Sequence, residues 1–123
     1  MIDPNYIILY VDNPLESSDF YAALLGRPAI ESSPLFALFV LDSGVKFGLW
    51  ANHSVAPSPT VAGGGAEVAI SVQGNEQVES LHHDWKDRGL PILQAPTQMD
   101  FGYTFVAADP DGHRLRIFAP SMP

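Results

Sequence analysis

The segment Gly44-Val-Lys-Phe-Gly-Leu-Trp-Ala51 aligns without a gap on Gly112-His-Arg-Leu-Arg-Ile-Phe-Ala119. Lys46 falls on Arg114, Phe47 on Leu115, Leu49 on Ile117, Trp50 on Phe118 and Ala51 on Ala119. Such a repeat constrains a fold more than any local propensity. Each copy is one supersecondary unit, and neighbouring copies can cover each other's apolar faces. Both copies then need the same elements in the same order.

The flanking residues supply those elements. Residues 5–11 are β-branched and aromatic and predict a strand. Asn13 offers an N-cap, Pro14 suits the first helical position, and Glu16 can complete a capping box. Phe20, Ala23 and Leu24 fall at i, i+3 and i+4 as one apolar stripe; Gly26 ends the helix and Pro28 keeps it from resuming. Residues 35–41 and 45–51 predict strands joined at Asp42-Ser43-Gly44. A Pro- and Gly-rich linker, 52–66, precedes the second copy. There, 67–72 predicts a strand, and Asn75 caps a helix burying Val78, Leu81 and Trp85. Gly89 and Pro91 end that helix. Residues 92–95 predict a short strand, and 102–107 and 113–119 a hairpin around Asp109-Pro110-Asp111-Gly112. The expected fold is α+β: two tandem βαβββ units, 5–51 and 67–119, in a single domain spanning 1–123. They form a curved, cup-like mixed sheet with helices on its outer face.

Charge and composition exclude several functions. Fourteen acidic and six basic residues give a net charge of −8 without a Lys/Arg cluster, so nucleic acid and acidic membrane surfaces are poor partners. No apolar run approaches the roughly 20 residues of a membrane span, and the N-terminus lacks a signal-peptide pattern, so a cytoplasmic location is expected. The absence of cysteine removes disulfides and thiolate chemistry. His82-His83-Asp84 lies on the second helix beside its buried stripe and reads as surface. Gly63-Gly64-Gly65 precedes a strand and not a helix, unlike a phosphate-binding loop.

Tyr-Val-Asp-Asn-Pro-Leu-Glu-Ser-Ser-Asp-Phe-Tyr (10–21), Leu-Leu-Gly-Arg-Pro (24–28) and Asp-Pro-Asp-Gly-His-Arg-Leu-Arg-Ile (109–117) together resemble the vicinal oxygen chelate superfamily, which includes glyoxalase I, extradiol dioxygenases and bleomycin-binding proteins. Metal-using members place ligands in the first, fourth, fifth and eighth strands. Carried over residue by residue, the resemblance puts Tyr6, Gly48, Glu67 and Arg116 there. Arg116 stays cationic at any ordinary pH and has no lone pair to give. At about 5 Å and an effective dielectric of about 20 it would repel a divalent ion by about 6–7 kcal/mol. The resemblance therefore implies no metal and no cofactor. It also implies that Glu67 and Arg116 meet as a bidentate pair, which either receives a ligand's carboxylate or phenolate or simply replaces the lost metal.

Strand alternation adds the lining. If Tyr6, Gly48 and Arg116 face inward, so do Tyr10, Trp50 and Phe118, and Gly48 leaves an opening where a flat ring can slide. Those rings either stack on a planar ligand or fill a closed cavity. Asp100, Phe101 and Tyr103 sit where a rim would be, or in an ordinary loop. Trp50, the Glu-x-x-Ile at 67–70 and the Asp-Pro-Asp-Gly-His-x-x-Arg at 109–116 most resemble the drug-binding phenazine antibiotic resistance proteins. Such proteins bind a planar antibiotic without altering it, commonly as dimers with cups at the subunit interface. The implied function is non-catalytic sequestration of a planar aromatic small molecule by a homodimer. The alternatives are a metal-dependent lyase, thiol transferase or dioxygenase of the same superfamily, or a degenerate dimerisation domain.

Overall fold

The computed structural model describes residues 2–121 as two units, the first ending at Ala62 and the second beginning at Gly63. The first contains β1 (Tyr6–Val11), α1 (Pro14–Leu25), β2 (Glu31–Ser32), β3 (Phe36–Val40), β4 (Lys46–Ala51) and a single 3-10 turn at Asn52–Ser54. Its sheet order is β1-β4-β3-β2, with β1 parallel to β4 and the other pairs antiparallel.

Helix α1 begins and ends where its capping residues dictate. Asn13 Oδ1 accepts hydrogen bonds from the Leu15 and Glu16 amides at 3.1 and 3.3 Å. Gly26 closes the helix in the left-handed region at φ 72°. The buried side departs from the expected Phe20-Ala23-Leu24 stripe. Pro14, Ser17, Ser18 and Tyr21 are buried, whereas Ala23 is exposed. The two serines lie flat against the sheet because their side chains are small, and Tyr21 meets Phe47 edge-on at 4.9 Å. Val11, Ala37, Phe39 and Leu49 complete this core.

The second unit contains β5 (Glu67–Ser71), α2 (Asn75–Asp87), β6 (Ile92–Met99), β7 (Gly102–Ala108) and β8 (Arg114–Pro120). Its order, β5-β8-β7-β6, repeats the first, and so does its register: Glu67 lies opposite Arg114 as Tyr6 lies opposite Lys46. Helix α2 buries Val78 and Trp85 on Phe105, Leu115 and Ile117, with Trp85 and Phe105 edge-on at 5.4 Å. Gly74, not Asn75, is its N-cap, and no side chain bonds there. Strand β6 runs twice the expected length, to Met99, with register slips on either side of Gln94. It is an edge strand, where Pro96 removes no interior ladder bond. The β7–β8 turn is held by Asp109 Oδ1, which accepts from the Asp111 and His113 amides at 2.9 and 2.8 Å. No helix of the described residues is long and apolar enough to cross a membrane.

Candidate functional site

In each unit one sheet face packs on the helix and the other turns away from it. The register assigns residues to the second face by alternation. In the first unit that face carries Tyr6, Ile8 and Tyr10 from β1, Lys46, Gly48 and Trp50 from β4, and Phe36, Leu38 and Val40 from β3. Tyr6, Ile8 and Tyr10 are exposed. Tyr10 and Trp50 meet edge-on at 6.2 Å, and Lys46 Nζ lies 5.3 Å from the centre of the Tyr6 ring. In the second unit the corresponding face carries Glu67, Arg114, Arg116, Phe118, Thr104, Val106 and Gln94.

Arg116 organises this second face. Its Nε and Nη2 donate to Glu67 Oε1 and Oε2, both at 2.8 Å, as a bidentate pair. Its Nη1 donates to Thr104 Oγ1 at 3.1 Å and makes a long contact of 3.5 Å to Gln94 Oε1. Thr104 is fully buried and gives its own hydroxyl proton to the Ile117 carbonyl at 2.8 Å, which leaves a lone pair for Arg116. The guanidinium also lies 5.4 Å from the centre of the Phe101 ring, and Phe101 meets Phe118 edge-on at 6.0 Å. The hydrogen bonds from Arg116, its positive charge and that of Arg114 hold the Glu67 carboxyl below the usual range, against an opposing effect of burial. The same bonds raise Arg116 further.

The expected pair between Glu67 and Arg116 therefore forms. Tyr6, Tyr10, Gly48 and Trp50 share one face, and Glu67, Arg116, Phe118 and Phe101 gather on another. Two readings need correction. Tyr103, expected at the rim, points to the helix side of the sheet, where its hydroxyl donates to Glu79 of α2; that bond raises the Tyr103 hydroxyl above its ordinary value. Alternation explains this: Thr104 faces Arg116, so Tyr103 cannot. The opening expected at Gly48 is filled from within, since a Cβ there would lie 2.8 Å from Phe36 Cζ. Asp100 lies in the exposed turn between β6 and β7. A cleft of about 520 Å3 lined by Asn75, Glu76, Glu79 and Tyr103 also lies on the helix side. Its two carboxylates give it the opposite sign to the Arg116 face. Phe36, Thr104 and Gln94 were missed, although the parity of β3 and β7 against β4 and β8 identifies the first two.

The donor set does not suit a divalent ion. Both Glu67 oxygens are engaged by Arg116, Arg116 has no lone pair, Gly48 has no side chain, and the Tyr6 ring lies beneath an ammonium group. Among the described residues, no three His, Cys, Asp or Glu side chains group as metal ligands.

The model of the Glyoxalase/Bleomycin resistance protein/Dioxygenase superfamily matches residues 4–117. The chain belongs to that superfamily. It is 29% identical over 121 residues to the phenazine antibiotic resistance protein EhpR of Enterobacter agglomerans, covering 94% of this chain and 91% of that protein. The solution structure of protein ATC0852 from Agrobacterium tumefaciens is 52% identical, with a TM-score of 0.92, and covers 99% of this chain and all of the other. A superfamily enzyme from Burkholderia phytofirmans PsJN, 22% identical with a TM-score of 0.83, covers 98% of this chain and 100% of its own; it shares the fold. The superfamily's α+β architecture thus extends over both units.

Proposed function

We propose that the protein binds a planar aromatic small molecule, of the kind a phenazine exemplifies, and sequesters it without chemical change. The carrying observation is the Arg116 node: a guanidinium fixed by Glu67 and Thr104, with Phe101 against its face and Phe118 beside it. Flat rings around one fixed charge suit a flat ligand, since offset or edge-on stacking adds roughly 0.5–1.5 kcal/mol beyond area burial. The likeness to EhpR, named for phenazine antibiotic resistance, supports the same reading. So does the exposure of Tyr6, Ile8 and Tyr10, which leaves an aromatic face for a ligand or a second copy to cover. The working form in this reading is a cytoplasmic homodimer with its cups at the subunit interface.

Titration of the full chain with a phenazine carboxylate, followed by the ligand's absorbance and by tryptophan fluorescence, tests the proposal. The ligand's absorbance reads binding at the Arg116 face; Trp50, partly exposed on the first unit's face, reports a ligand that reaches that face, whereas Trp85 is buried. Saturable binding at micromolar concentration supports the reading; no change at tens of micromolar refutes it.

A further inference from the structure

Arg116 is the obvious partner for an acidic ligand, yet little of it is left to give. A guanidinium has five N–H donors. Nε and one Nη2 hydrogen go to Glu67, and Nη1 serves Thr104 and Gln94. Glu67 occupies the Nε/Nη2 edge, the Nη1/Nη2 edge is compromised because Nη1 already serves Thr104 and Gln94, and Phe101 lies against the plane. Arg116 is thus built into the floor of the face.

Arg114 differs in every respect. It precedes Arg116 by two residues on β8 and so shares its face, roughly 6.6 Å along the strand. It lies opposite Glu67 in the register and is exposed, and among the described residues its side chain forms no hydrogen bond or ion pair. Its charge reaches Glu67 only through space, helping to hold that carboxyl ionised. Arg114, Arg116 and Glu67 leave this face with one net positive charge in a chain whose net charge is −8. The first unit supplies a comparison: Lys46 occupies the register position of Arg114 but is already used, above the Tyr6 ring. Arg114 is a cation with its bidentate edge unspent, on the same face as the Phe101–Phe118 pair and about 13 Å along β8 from Phe118, with Arg116 between them.

We infer that the ligand is a planar aromatic anion, bearing a carboxylate or phenolate, and that Arg114 holds the anionic group while Arg116 acts as a positioning residue beneath the rings. This rests on the binding reading above and adds the ligand's charge and the residue that reads it. Arg114 is a specificity-determining residue in this assignment: it distinguishes an acid from its neutral ester.

The test compares a phenazine carboxylate with its methyl ester on wild type, R114Q and R114K. Because Arg114 is exposed, both variants should unfold thermally like wild type. Losing a charge-assisted hydrogen bond on a partly desolvated face should weaken the carboxylate about tenfold in R114Q. R114K, which keeps the charge but loses the fork, should lose about threefold. The ester should shift less than about twofold in both, because it offers no charge to hold. Equal weakening of acid and ester, or no weakening of the acid, overturns the assignment to Arg114 while the binding reading stands. If neither probe binds wild type, the binding reading falls and the assignment with it.

Discussion

Replacing Glu67 with glutamine keeps the shape of the Arg116 node and removes one charge. The wild-type pair has both bonds at 2.8 Å and side chains 16% and 33% exposed for Arg116 and Glu67. Exposed ion pairs contribute about 0.2–1 kcal/mol. Removing one partner of a fully buried pair costs about 3–5 kcal/mol. With this intermediate burial, and with Thr104 still bonded to Arg116, E67Q should cost about 1–2 kcal/mol. For a chain of this length that corresponds to a drop of about 4–8 °C in Tm. The pH dependence has a definite sign. Glu67 titrates below the ordinary glutamate value of 4.5 in the folded protein, so its contribution is complete above that pH. It is lost as the pH falls through the lower folded value. Below that point wild-type Glu67 is itself neutral, and the two proteins should converge. Thermal unfolding by circular dichroism, from neutral pH down to the onset of acid unfolding, reads both effects. A Tm gap absent at neutral pH, or one that stays constant as the pH falls below 4.5, would refute the reasoning.

Three glycines make contrasting predictions. Gly102 sits at φ 149°, and a Cβ there would lie 2.1 Å from the Ala119 carbonyl oxygen, which is backbone and cannot swing aside. G102A should therefore destabilise by more than about 3 kcal/mol in urea unfolding, whereas G65A, with open space around it, should stay within about 0.5 kcal/mol. At Gly48 the obstructing atoms belong to the Phe36 ring, which can turn, so G48A should cost about 1–3 kcal/mol in the same assay and raise the exposure of Phe36. A Gly48 variant as damaging as G102A would show that Phe36 is as fixed as backbone.

Much of the architecture was legible because the chain repeats itself. The alignment of 44–51 on 112–119 predicted equivalent strands, and β4 and β8 hold equivalent places in sheets of the same order. Turn and cap residues such as Asn13, Gly26 and Asp109 have local jobs, and local jobs can be read from local sequence. The buried side of α1 could not: Ser17 and Ser18 are polar by composition, and only their size suits the close approach of helix to sheet. Strand β2 is two residues long, too short for any periodicity. In the candidate site, Glu67 and Arg116 were readable because opposite charges were expected at converging positions. Tyr103 is less legible, because the segment before the seventh strand reads as one rim; counting parity from Arg116 across the β7–β8 register puts Tyr103 on the helix side. The spent state of Arg116 lay beyond the sequence altogether. It depends on Thr104 of β7 and Gln94 of β6, two strands away, reaching the guanidinium, a matter of side-chain geometry.

The most direct test of the central claim maps ligand contact residue by residue. Amide and side-chain nitrogen–proton correlation spectra of the full chain, recorded with and without a phenazine carboxylate, should show the largest shifts at Phe101, Thr104, Arg114, Arg116 and Phe118. Glu79 and Tyr103, on the helix side, should be left unmoved. Shifts confined to the acidic cleft of Asn75, Glu76, Glu79 and Tyr103, or no shifts at saturating ligand, would contradict it.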